Sequence, residues 1–284
     1  MIRSTDCLPC GAHQLSLERP LIMGVLNVTP DSFSDGGDWL QPAAAVAHAQ
    51  RMHDEGADII DVGGESTRPG AATVSLEQER RRVVPVIEAL AAQLDIPISI
   101  DTSKPQLMAD AVAAGAGMVN DVNALRAEGA VELMAAHPEV SIVLMHMQGA
   151  PRSMQQAPCY DDVVSEVADF LEQRRQICTQ AGIAARRLVV DPGIGFGKTL
   201  EHNLTLLRAT GQLVERFGPV LLGVSRKSMF AQLLGDRPPR QRVEASVQTA
   251  MLAAQAGAAI LRVHDVKQTR EALSLLRAIS HAEF

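Results

Sequence analysis

The chain has 284 residues, a length that suits a single barrel domain with one large core. Its formal net charge of -7 and its aromatic content of 3% disfavour a nucleic-acid partner, which would require a basic face and stacking side chains. No apolar run approaches the roughly 18 residues that a membrane helix needs, and residues 1–20 lack the apolar core of a signal peptide. We therefore expect a cytoplasmic enzyme.

Eight short apolar strands alternate with eight helical stretches along the chain. The predicted strands are 21–27, 58–62, 97–101, 117–120, 141–145, 187–191, 220–224 and 259–263. The predicted helices lie near 42–55, 75–93, 104–114, 128–136, 161–180, 201–215, 241–256 and 266–280. Eight βα pairs close a barrel, so we predict an α/β fold, a (β/α)8 TIM barrel, as a single domain over residues 1–284. Residues 7–18 are expected to form an N-terminal β-hairpin that covers the bottom of the barrel.

A short repeat supports this topology. The pair Gly-Ala separates an Ala-rich helical stretch from an apolar strand at residues 56–57, 115–116 and 257–258. Glycine just past a helix supplies the left-handed turn that sends the chain back into the sheet. Successive helix–Gly-Ala–strand units indicate parallel strands joined by right-handed crossovers. An open doubly wound sheet is the alternative, because closure of a barrel cannot be seen in a sequence.

Polar side chains stand at or just beyond the ends of most predicted strands. They are Asn27, Asp61, Asp101, Asn120, His146, Asp191, Ser225, Arg262 and His264. In a barrel these ends share one face, where active sites are built. Asp101, Asn120 and Asp191 together favour a ligand edge rich in hydrogen-bond donors, such as the amino-pyrimidinone side of a pterin or guanine. Asp101 could instead cap the helix that follows it.

Positive charge is expected on the same rim. Lys227 and Arg262 follow the last two strands, whereas neighbouring Arg226 is predicted to be solvated surface charge. With few aromatic side chains available, the guanidinium of an arginine is the expected stacking surface for a flat heterocycle. Lys227 could instead form a Schiff base, as the lysine of an aldolase does.

The glycine-rich segment 191–199 nearly matches a phosphate-binding P-loop, but Pro192 stands where that motif requires glycine. The P-loop interpretation is therefore excluded. The three glycines of the segment predict a tight loop whose amides approach a ligand, with a purely structural turn as the alternative. Cys7 and Cys10 have the spacing of a redox or zinc pair, but no second pair or histidine accompanies them.

Three predicted strand-to-helix connections are long, namely 28–41, 63–74 and 146–160, and all are rich in Gly, Pro, Ser or Thr. Long loops in a compact domain are usually functional. The first offers oxygen ligands from Asn27, Asp31 and Asp35, a set suited to Mg²⁺. A phosphate would then be surrounded by a second group of side chains: Thr67, Arg68, Arg262 and His264.

Taken in order, these motifs resemble those of the dihydropteroate synthase family of pterin-binding enzymes. The matching segments are 27–37, 61–70, 100–105, 120–121, 145–149, 191–198, 225–228 and 262–264. The resemblance implies a barrel that joins p-aminobenzoate to 6-hydroxymethyl-7,8-dihydropterin pyrophosphate and releases pyrophosphate with Mg²⁺ present. It also implies a homodimer.

The resemblance assigns roles to individual residues of this chain. The implied pterin site is Thr67, Asp101, Asn120, Asp191, Lys227 and Arg262. The implied diphosphate site is Asn27, Thr67, Arg262 and His264, with Asn27 also holding the metal. The implied aminobenzoate pocket is Arg68, Pro69, Phe196, Ser225 and Lys227, and the implied catalytic residues are Asp35, Arg68, Asp101 and Lys227.

Two other functions remain open at this point. A pterin-binding methyltransferase that acts with a corrinoid protein would have a similar barrel and pterin edge, but it would need neither an aminobenzoate pocket nor a diphosphate site. A non-catalytic pterin-binding or regulatory protein would not need the set Asn27, Thr67, Arg68 and Lys227.

Overall fold

The structure, a computed structural model, describes residues 7–29, 37–65, 74–150, 153–280 and 282, and of residues 37–41 it describes the backbone alone. The strands of this part of the chain are β1 (Cys7–Cys10), β2 (His13–Ser16), β3 (Leu21–Asn27), β4 (Ile59–Gly63), β5 (Ile98–Asp101), β6 (Met118–Asp121), β7 (Ser141–Met145), β8 (Leu188–Asp191), β9 (Leu221–Leu222) and β10 (Ile260–Val263). The α-helices are α1 (Gly37–Asp54), α2 (Leu76–Gln93), α3 (Pro105–Ala113), α4 (Ala130–Ala135), α5 (Val163–Gln180), α6 (Leu200–Arg208), α7 (Thr210–Phe217), α8 (Met229–Leu234), α9 (Val243–Gln255) and α10 (Val266–Ser280).

Strands β3 to β10 form one parallel sheet that closes on itself. The strand order is β8-β7-β6-β5-β4-β3-β10-β9, so each neighbour pair follows the chain except where β3 meets β10. The two ends of this order are joined by a parallel bridge between Val190 and Val220, beside which the Val190 amide donates to the Pro219 carbonyl at 3.1 Å. The sheet is therefore a (β/α)8 barrel, as predicted, and the open doubly wound alternative is wrong.

The hairpin β1–β2 covers the amino-terminal end of the barrel, which confirms the predicted position of residues 7–18. Leu8, Cys10 and Leu17 are buried in one apolar cluster with side chains from the lower ends of the barrel strands: Leu21, Met23, Ile59, Met118, Val143, Val189, Leu221 and Ile260. Polar contacts fix the hairpin there, since the Ser141 hydroxyl donates to the Pro9 carbonyl. The bottom of the barrel is closed, so a ligand site has to lie at its other end.

Cys7 and Cys10 belong to strand β1 and do not form a pair. Cys7 is exposed, Cys10 is buried, and both are free thiols. Burial raises the pKa of the Cys10 thiol to about 12, so it stays protonated and unreactive at neutral pH. Cys10 therefore has a packing role in the hairpin.

The predicted Gly-Ala turns have the left-handed conformation that motivated the prediction. Gly56, Gly115 and Gly257 have φ values of +100°, +110° and +96°. In this region glycine is strongly favoured because any Cβ would be strained. Each turn leads a helix directly into a strand of the barrel.

The predicted barrel strands agree with the structure to within one residue, except that β9 is reduced to two residues. The single helix predicted over 201–215 is two helices, α6 and α7, which meet near Ala209. Helix α8 was not predicted, because six residues are too short to show a helical period. Among the described residues, no helix combines the length and the apolar character that crossing a membrane would take.

Candidate active site at the carboxyl end of the barrel

Side chains from four barrel strands meet at the carboxyl end of the sheet. Arg262 on β10 donates from Nε to Asp61 Oδ2 at 2.6 Å and from Nη2 to Asp101 Oδ2 at 2.7 Å. Asn120 on β6 donates from Nδ2 to the same Asp61 oxygen at 3.1 Å. The predicted convergence of Asp101, Asn120 and Arg262 is therefore present, with Asp61 as their common partner.

The side chains of Asp61, Asp101 and Arg262 are largely buried. Asp61 has no exposed side-chain surface and Asp101 only 8%, whereas Arg262 keeps 22%. Burial raises the pKa of Asp101 to about 7, against the opposing effect of Arg262. Burial alone would lower the pKa of Arg262, but Asp61 and Asp101 together raise it above its ordinary value. Arg262 is thus a permanent cation, and its charge favours the ionised form of Asp101.

Asp101 is not a helix cap, which was the alternative to its site role. Helix α3 begins at Pro105, and its first turn is preceded by Lys104, whose side chain makes no capping hydrogen bond. Asp101 lies at the last position of β5, next to the Asn120 position of β6 in the parallel register. Its carboxylate thus lies at the barrel mouth, where it contacts Arg262.

Asp191 supplies a second buried carboxylate, from β8. Its Oδ1 accepts the Gly193 amide at 2.7 Å. Burial raises its pKa, while the Gly193 amide and the cations Lys227, Lys198 and Arg262 oppose that shift. An ionised carboxylate accepts several hydrogen bonds, so Asp191 has acceptor capacity beyond the Gly193 amide.

Lys227 joins this carboxylate to the aromatic part of the rim. Its Nζ lies 4.4 Å from the centre of the Phe196 ring, a cation–π contact. Burial lowers the pKa of Lys227 to about 8, with Asp191 opposing this shift and Arg262 adding to it. The predicted site residues Asp191, Phe196 and Lys227 therefore form one group beside the Asp61–Asp101–Arg262 group.

The glycines of the 191–199 loop are required by packing against protein. A Cβ on Gly193 would lie 1.9 Å from the His146 carbonyl oxygen, and one on Gly197 would lie 2.4 Å from the Gln148 carbonyl oxygen. The amides of Gly193 and Gly195 donate to Asp191 and Asn203. The prediction that these amides face a ligand is wrong for these two, because both are used by the protein itself.

A buried Lys198–His146 contact lies under this loop and was not predicted. Lys198 Nζ is 2.9 Å from His146 Nδ1 and donates to the Phe196 carbonyl at 3.1 Å. Lys198 is 3% exposed and His146 is 7% exposed. Burial lowers the pKa of Lys198 to about 7 and, with Lys198 next to it, lowers that of His146 to about 3. The histidine is therefore neutral, and the pair holds the loop that carries Phe196.

The Lys198 pKa predicts a pH-dependent stability difference. Between pH 7 and its ordinary pKa of 10.5 the unfolded chain binds this proton and the folded chain does not, so stability rises with pH in that window. The melting temperature of a Lys198→Met variant relative to the native protein should therefore be higher at pH 6 than at pH 9.5. Thermal unfolding of both at the two pH values measures this. Exposed Lys267→Met is the control, and an equal difference at both pH values would contradict the burial of a titrating amine.

Ser225 and His264 contact each other at the ends of β9 and β10. Ser225 Oγ accepts the His264 amide at 3.1 Å and lies 3.0 Å from His264 Nδ1. Between Ser225 and Lys227, the side chain of Arg226 forms an ion pair with Asp265 and is 27% exposed. The prediction that Arg226 is solvated surface charge is therefore wrong.

Several predicted site residues lie outside the described part of the chain. They are Asp31, Asp35, Thr67, Arg68 and Pro69. Glu65 and Val74, which flank the segment that contains Thr67, Arg68 and Pro69, are described and contact each other. Glu65 Oε1 accepts the Val74 amide at 3.1 Å, and Glu65 Oε2 accepts Lys104 Nζ at 2.6 Å. Glu65 and Val74 therefore lie together near the mouth of the barrel, beside the turn that follows β5.

Asn27 ends β3 at the same mouth. It is half-buried, and its side-chain oxygen lies 3.9 Å from the Cβ position of Gly63, beside Asp101. A single amide oxygen suits a Mg²⁺ that takes its other ligands from a diphosphate and water. Asn27 is thus placed where a metal–diphosphate group could be held.

A cavity of about 340 Å³ opens between the glycine-rich loop and the start of α8. Its polar lining includes Lys198, Asn203, Lys227 and Ser228. Lys227, with Asn203 and Ser228 as hydrogen-bonding groups, makes this space suited to an anionic group. Ser228 ends the segment 225–228, and the sequence alone assigns it no role.

The sequence places Asp61 and His146 at strand ends but assigns them no role, and it does not predict the burial of Lys198. For Asp61 a signal existed, because it ends an apolar strand just as Asp101 does. For the contact between Lys198 and His146 no local signal existed, since nothing in the glycine-rich loop indicates that its lysine is buried. Burial of Lys198 follows only from the tertiary packing of the loop.

The geometry defines a barrel enzyme with a buried carboxylate and amide edge and a cationic rim. The family model of pterin-binding enzymes matches residues 23–264, and the chain belongs to this family. The dihydropteroate synthase of Escherichia coli K12 is 49% identical over 269 residues, which cover 95% of each chain.

Solved structures are similar over the same length. The dihydropteroate synthase of Xanthomonas albilineans with 4-aminobenzoic acid has a TM-score of 0.93 and 52% identity, covering 98% of this chain and 99% of that one. A complex of the Xanthomonas albilineans enzyme with 7,8-dihydropteroate has a TM-score of 0.89 and 49% identity, covering 98% and 100%. The fold is thus shared over nearly the whole length of the chain.

Proposed function

We propose that this protein is a dihydropteroate synthase of folate biosynthesis, a transferase that joins p-aminobenzoate to 6-hydroxymethyl-7,8-dihydropterin pyrophosphate. The observation that carries this function is the buried edge of Asp101, Asn120 and Asp191 at one barrel mouth, with Lys227 and Arg262 beside it. Relatives of about half identical sequence carry this name over the whole length of the chain.

The edge is complementary to the pyrimidine side of a pterin. Asp191 accepts from the ring N–H and amino group through its carboxylate, a charge-assisted contact that fixes the orientation of the ring. Asn120 adds both a donor and an acceptor. The guanidinium of Arg262, held flat by its two carboxylates, offers the stacking surface. Thr67 and Lys227 complete the pterin site.

The reaction breaks the bond between the pterin methylene carbon and the diphosphate oxygen, and the electron pair leaves with the diphosphate. Arg262, His264 and Asn27 surround that leaving group, and positive charge there lowers the barrier. The cation left on the pterin is spread over its ring and is stabilised by ionised Asp101 and its neighbour Asp61. The aniline nitrogen of p-aminobenzoate then attacks the methylene carbon and loses one proton to solvent.

The aminobenzoate pocket is formed by Phe196, Ser225 and Lys227, with Arg68 and Pro69 from the 63–74 segment. The ring of p-aminobenzoate packs against Phe196, and its carboxylate faces the cationic cavity that Lys227 and Ser228 line. The amine then points to the barrel axis, where the pterin methylene lies. Exclusion of water by the surrounding loops protects the cation from hydrolysis.

Mg²⁺ is the proposed cofactor, held by Asn27 together with the diphosphate. Asn27 would hold the ion beside the diphosphate, where Mg²⁺ would supply positive charge that stabilises the leaving group. Replacing Asn27 with alanine should raise the Mg²⁺ concentration needed for half-maximal turnover by about tenfold, because the only protein ligand we assign is lost. A Mg²⁺ titration of the steady-state rate measures this, and an unchanged requirement would remove Asn27 from the metal site. Gln176→Ala, which removes an exposed side-chain amide on α5, is the control.

Asp35 and Arg68 act in the chemical step more than in pterin binding. Replacing either with alanine should lower turnover by roughly 100-fold while changing the pterin dissociation constant by less than about threefold, since interactions made in the transition state affect kcat. Calorimetry of pterin binding, run beside steady-state rates, separates the two quantities. Equal losses in both would instead place these residues in the pterin site.

The protein is proposed to be a homodimer of the cytoplasm, as its family membership suggests. Sedimentation at micromolar concentration tests the dimer, and a mass of one chain would contradict it. Subcellular fractionation tests the location.

The function is tested by product identification. The protein, Mg²⁺, 6-hydroxymethyl-7,8-dihydropterin pyrophosphate and p-aminobenzoate should give 7,8-dihydropteroate, identified by mass spectrometry. A corrinoid-dependent methyltransferase or a non-catalytic pterin-binding protein would bind the pterin and give no such product. A lysine that forms a Schiff base would be trapped by borohydride at Lys227, and we expect no trapping.

A further inference from the structure

The turn that carries Lys227 has an unusual backbone. Arg226 has φ +57°, the left-handed region that side chains other than glycine avoid. Strain of this kind persists where surrounding contacts over-determine the conformation, and it concentrates at functional sites. Glycine would adopt this backbone conformation with less strain, so the arginine side chain must make an interaction that glycine lacks.

The guanidinium of Arg226 makes a two-point contact with Asp265. Nε lies 3.0 Å from Asp265 Oδ2 and Nη2 lies 2.5 Å from Oδ1. The Asp265 side chain is 10% exposed. A paired contact of this geometry fixes direction as well as distance. It joins the turn after β9 to the turn after β10.

The backbone of Arg226 is held from a third element, helix α9. Its amide donates to Ser246 Oγ at 2.8 Å, and its carbonyl accepts from Arg242 Nη1 at 3.2 Å. Ser246 Oγ in turn donates to the Arg242 carbonyl at 2.6 Å. The backbone N–H and the backbone C=O of Arg226 thus both have side-chain hydrogen-bond partners.

Strand β9 by itself holds this turn weakly. It has two residues, Leu221 and Leu222, paired with β10 on one side, and on the other side a single bridge at Val220. Few ladder hydrogen bonds therefore fix the direction in which the chain leaves the barrel. The residues on either side of Arg226 are Ser225, which contacts His264, and Lys227, which lies over Phe196.

We infer that the Arg226–Asp265 pair is a positioning device for Lys227. It holds the turn so that the Lys227 amine lies between Asp191 and Phe196, and it does not itself touch substrate. The inference rests on the proposed function, because Lys227 is assigned there to the pterin and aminobenzoate pockets.

The test uses the full-length protein with Mg²⁺. Asp265→Asn keeps the shape of the side chain and removes its charge. We expect kcat/KM for p-aminobenzoate to fall roughly 10- to 100-fold, because small misplacements of reacting groups carry losses of this size. Asp169→Asn, which weakens the exposed Arg216–Asp169 pair, is the matched control and should stay within about twofold.

Two further variants separate positioning from stability. The double variant Arg226→Gly with Asp265→Asn has neither a strained residue nor an unpaired buried charge, so it should fold, and it should lose as much activity as Asp265→Asn alone. In a Lys227→Ala background, Asp265→Asn should change the dissociation constant of the pterin pyrophosphate by less than about twofold, since coupled residues are not additive. A purely structural residue would add its full effect in that background.

Unchanged rate constants for Asp265→Asn, or an equal loss of pterin affinity with and without Lys227, would overturn the positioning role. With a native protein that forms dihydropteroate, either result leaves the proposed function intact. A native protein that binds the pterin and forms no product contradicts the proposed function instead, and the binding measurements still decide the role of the pair.

Discussion

Replacing Asp191 with alanine is expected to weaken binding of the pterin pyrophosphate by roughly 100-fold or more. Removing one partner of a buried, charge-assisted contact costs about 2–5 kcal/mol, because the remaining groups lose their hydrogen bonds in a site that water does not reach freely. Asp191 is 6% exposed, and its neighbours Lys227 and Lys198 would also lose their counter-charge. Calorimetric titration with the pterin substrate measures the change.

Two comparisons make this result specific. Asp191→Asn keeps an oxygen that can accept the Gly193 amide, but its other terminal atom is an NH2 donor that cannot accept from the pterin. The loop contact is kept while the ligand contact is weakened, so its loss should be intermediate. Asp169→Ala, in an exposed ion pair on α5, should leave the dissociation constant unchanged. An unaltered pterin affinity in Asp191→Ala would remove Asp191 from the pterin site and with it the reason for assigning the edge to a pterin.

Replacing Arg262 with methionine is expected to abolish turnover and to destabilise the fold. Arg262 pairs with Asp61 and Asp101, and removing one side of a buried ion pair costs about 3–5 kcal/mol because the other charge is left without compensation. Arg262→Lys should rescue little, since one ammonium cannot reproduce the planar fork that reaches both carboxylates.

The pH dependence of this destabilisation has a defined sign. Without the arginine, burial and the neighbouring Asp61 charge raise the folded-state pKa of Asp101 further above its unfolded value. A carboxyl with a raised folded pKa loses stability as pH rises above its unfolded pKa, so Arg262→Met should lie further below the native melting temperature at pH 8 than at pH 5. Calorimetric melting at both pH values tests this.

The controls separate folding from chemistry. Arg270→Met removes an arginine of similar exposure, paired with Asp58 at the amino-terminal end of the barrel, and it should leave turnover nearly intact. Adding Asp61→Asn and Asp101→Asn to Arg262→Met should restore stability without restoring activity. If the triple variant regained turnover, Arg262 would have no part in leaving-group stabilisation.

The barrel could be predicted because its signals are local. Apolar strands of four to seven residues, glycine turns at Gly56, Gly115 and Gly257, and polar residues at strand ends each require only a short window of sequence. The carboxyl-end cluster followed from topology, since parallel strands bring Asp101, Asn120 and Arg262 to one face whatever their separation along the chain.

Other features depended on partners far away in sequence. Arg226 looked like a surface residue because nothing nearby in the chain shows that Asp265 lies against it. Lys198 is buried because the glycine-rich loop folds so that its amine contacts His146 and the Phe196 carbonyl. The pairing of Asp61 with Arg262 joins residues 201 positions apart. Side-chain pairing of this kind is set by tertiary packing, which short-range patterns do not report.

The most direct test of the account is the release of pyrophosphate as a function of p-aminobenzoate. With Mg²⁺ and 6-hydroxymethyl-7,8-dihydropterin pyrophosphate, the protein should release one pyrophosphate for each dihydropteroate formed, and almost none when p-aminobenzoate is omitted. A folded protein that binds the pterin pyrophosphate but releases no pyrophosphate on addition of p-aminobenzoate would contradict the assignment of this barrel mouth to the condensation.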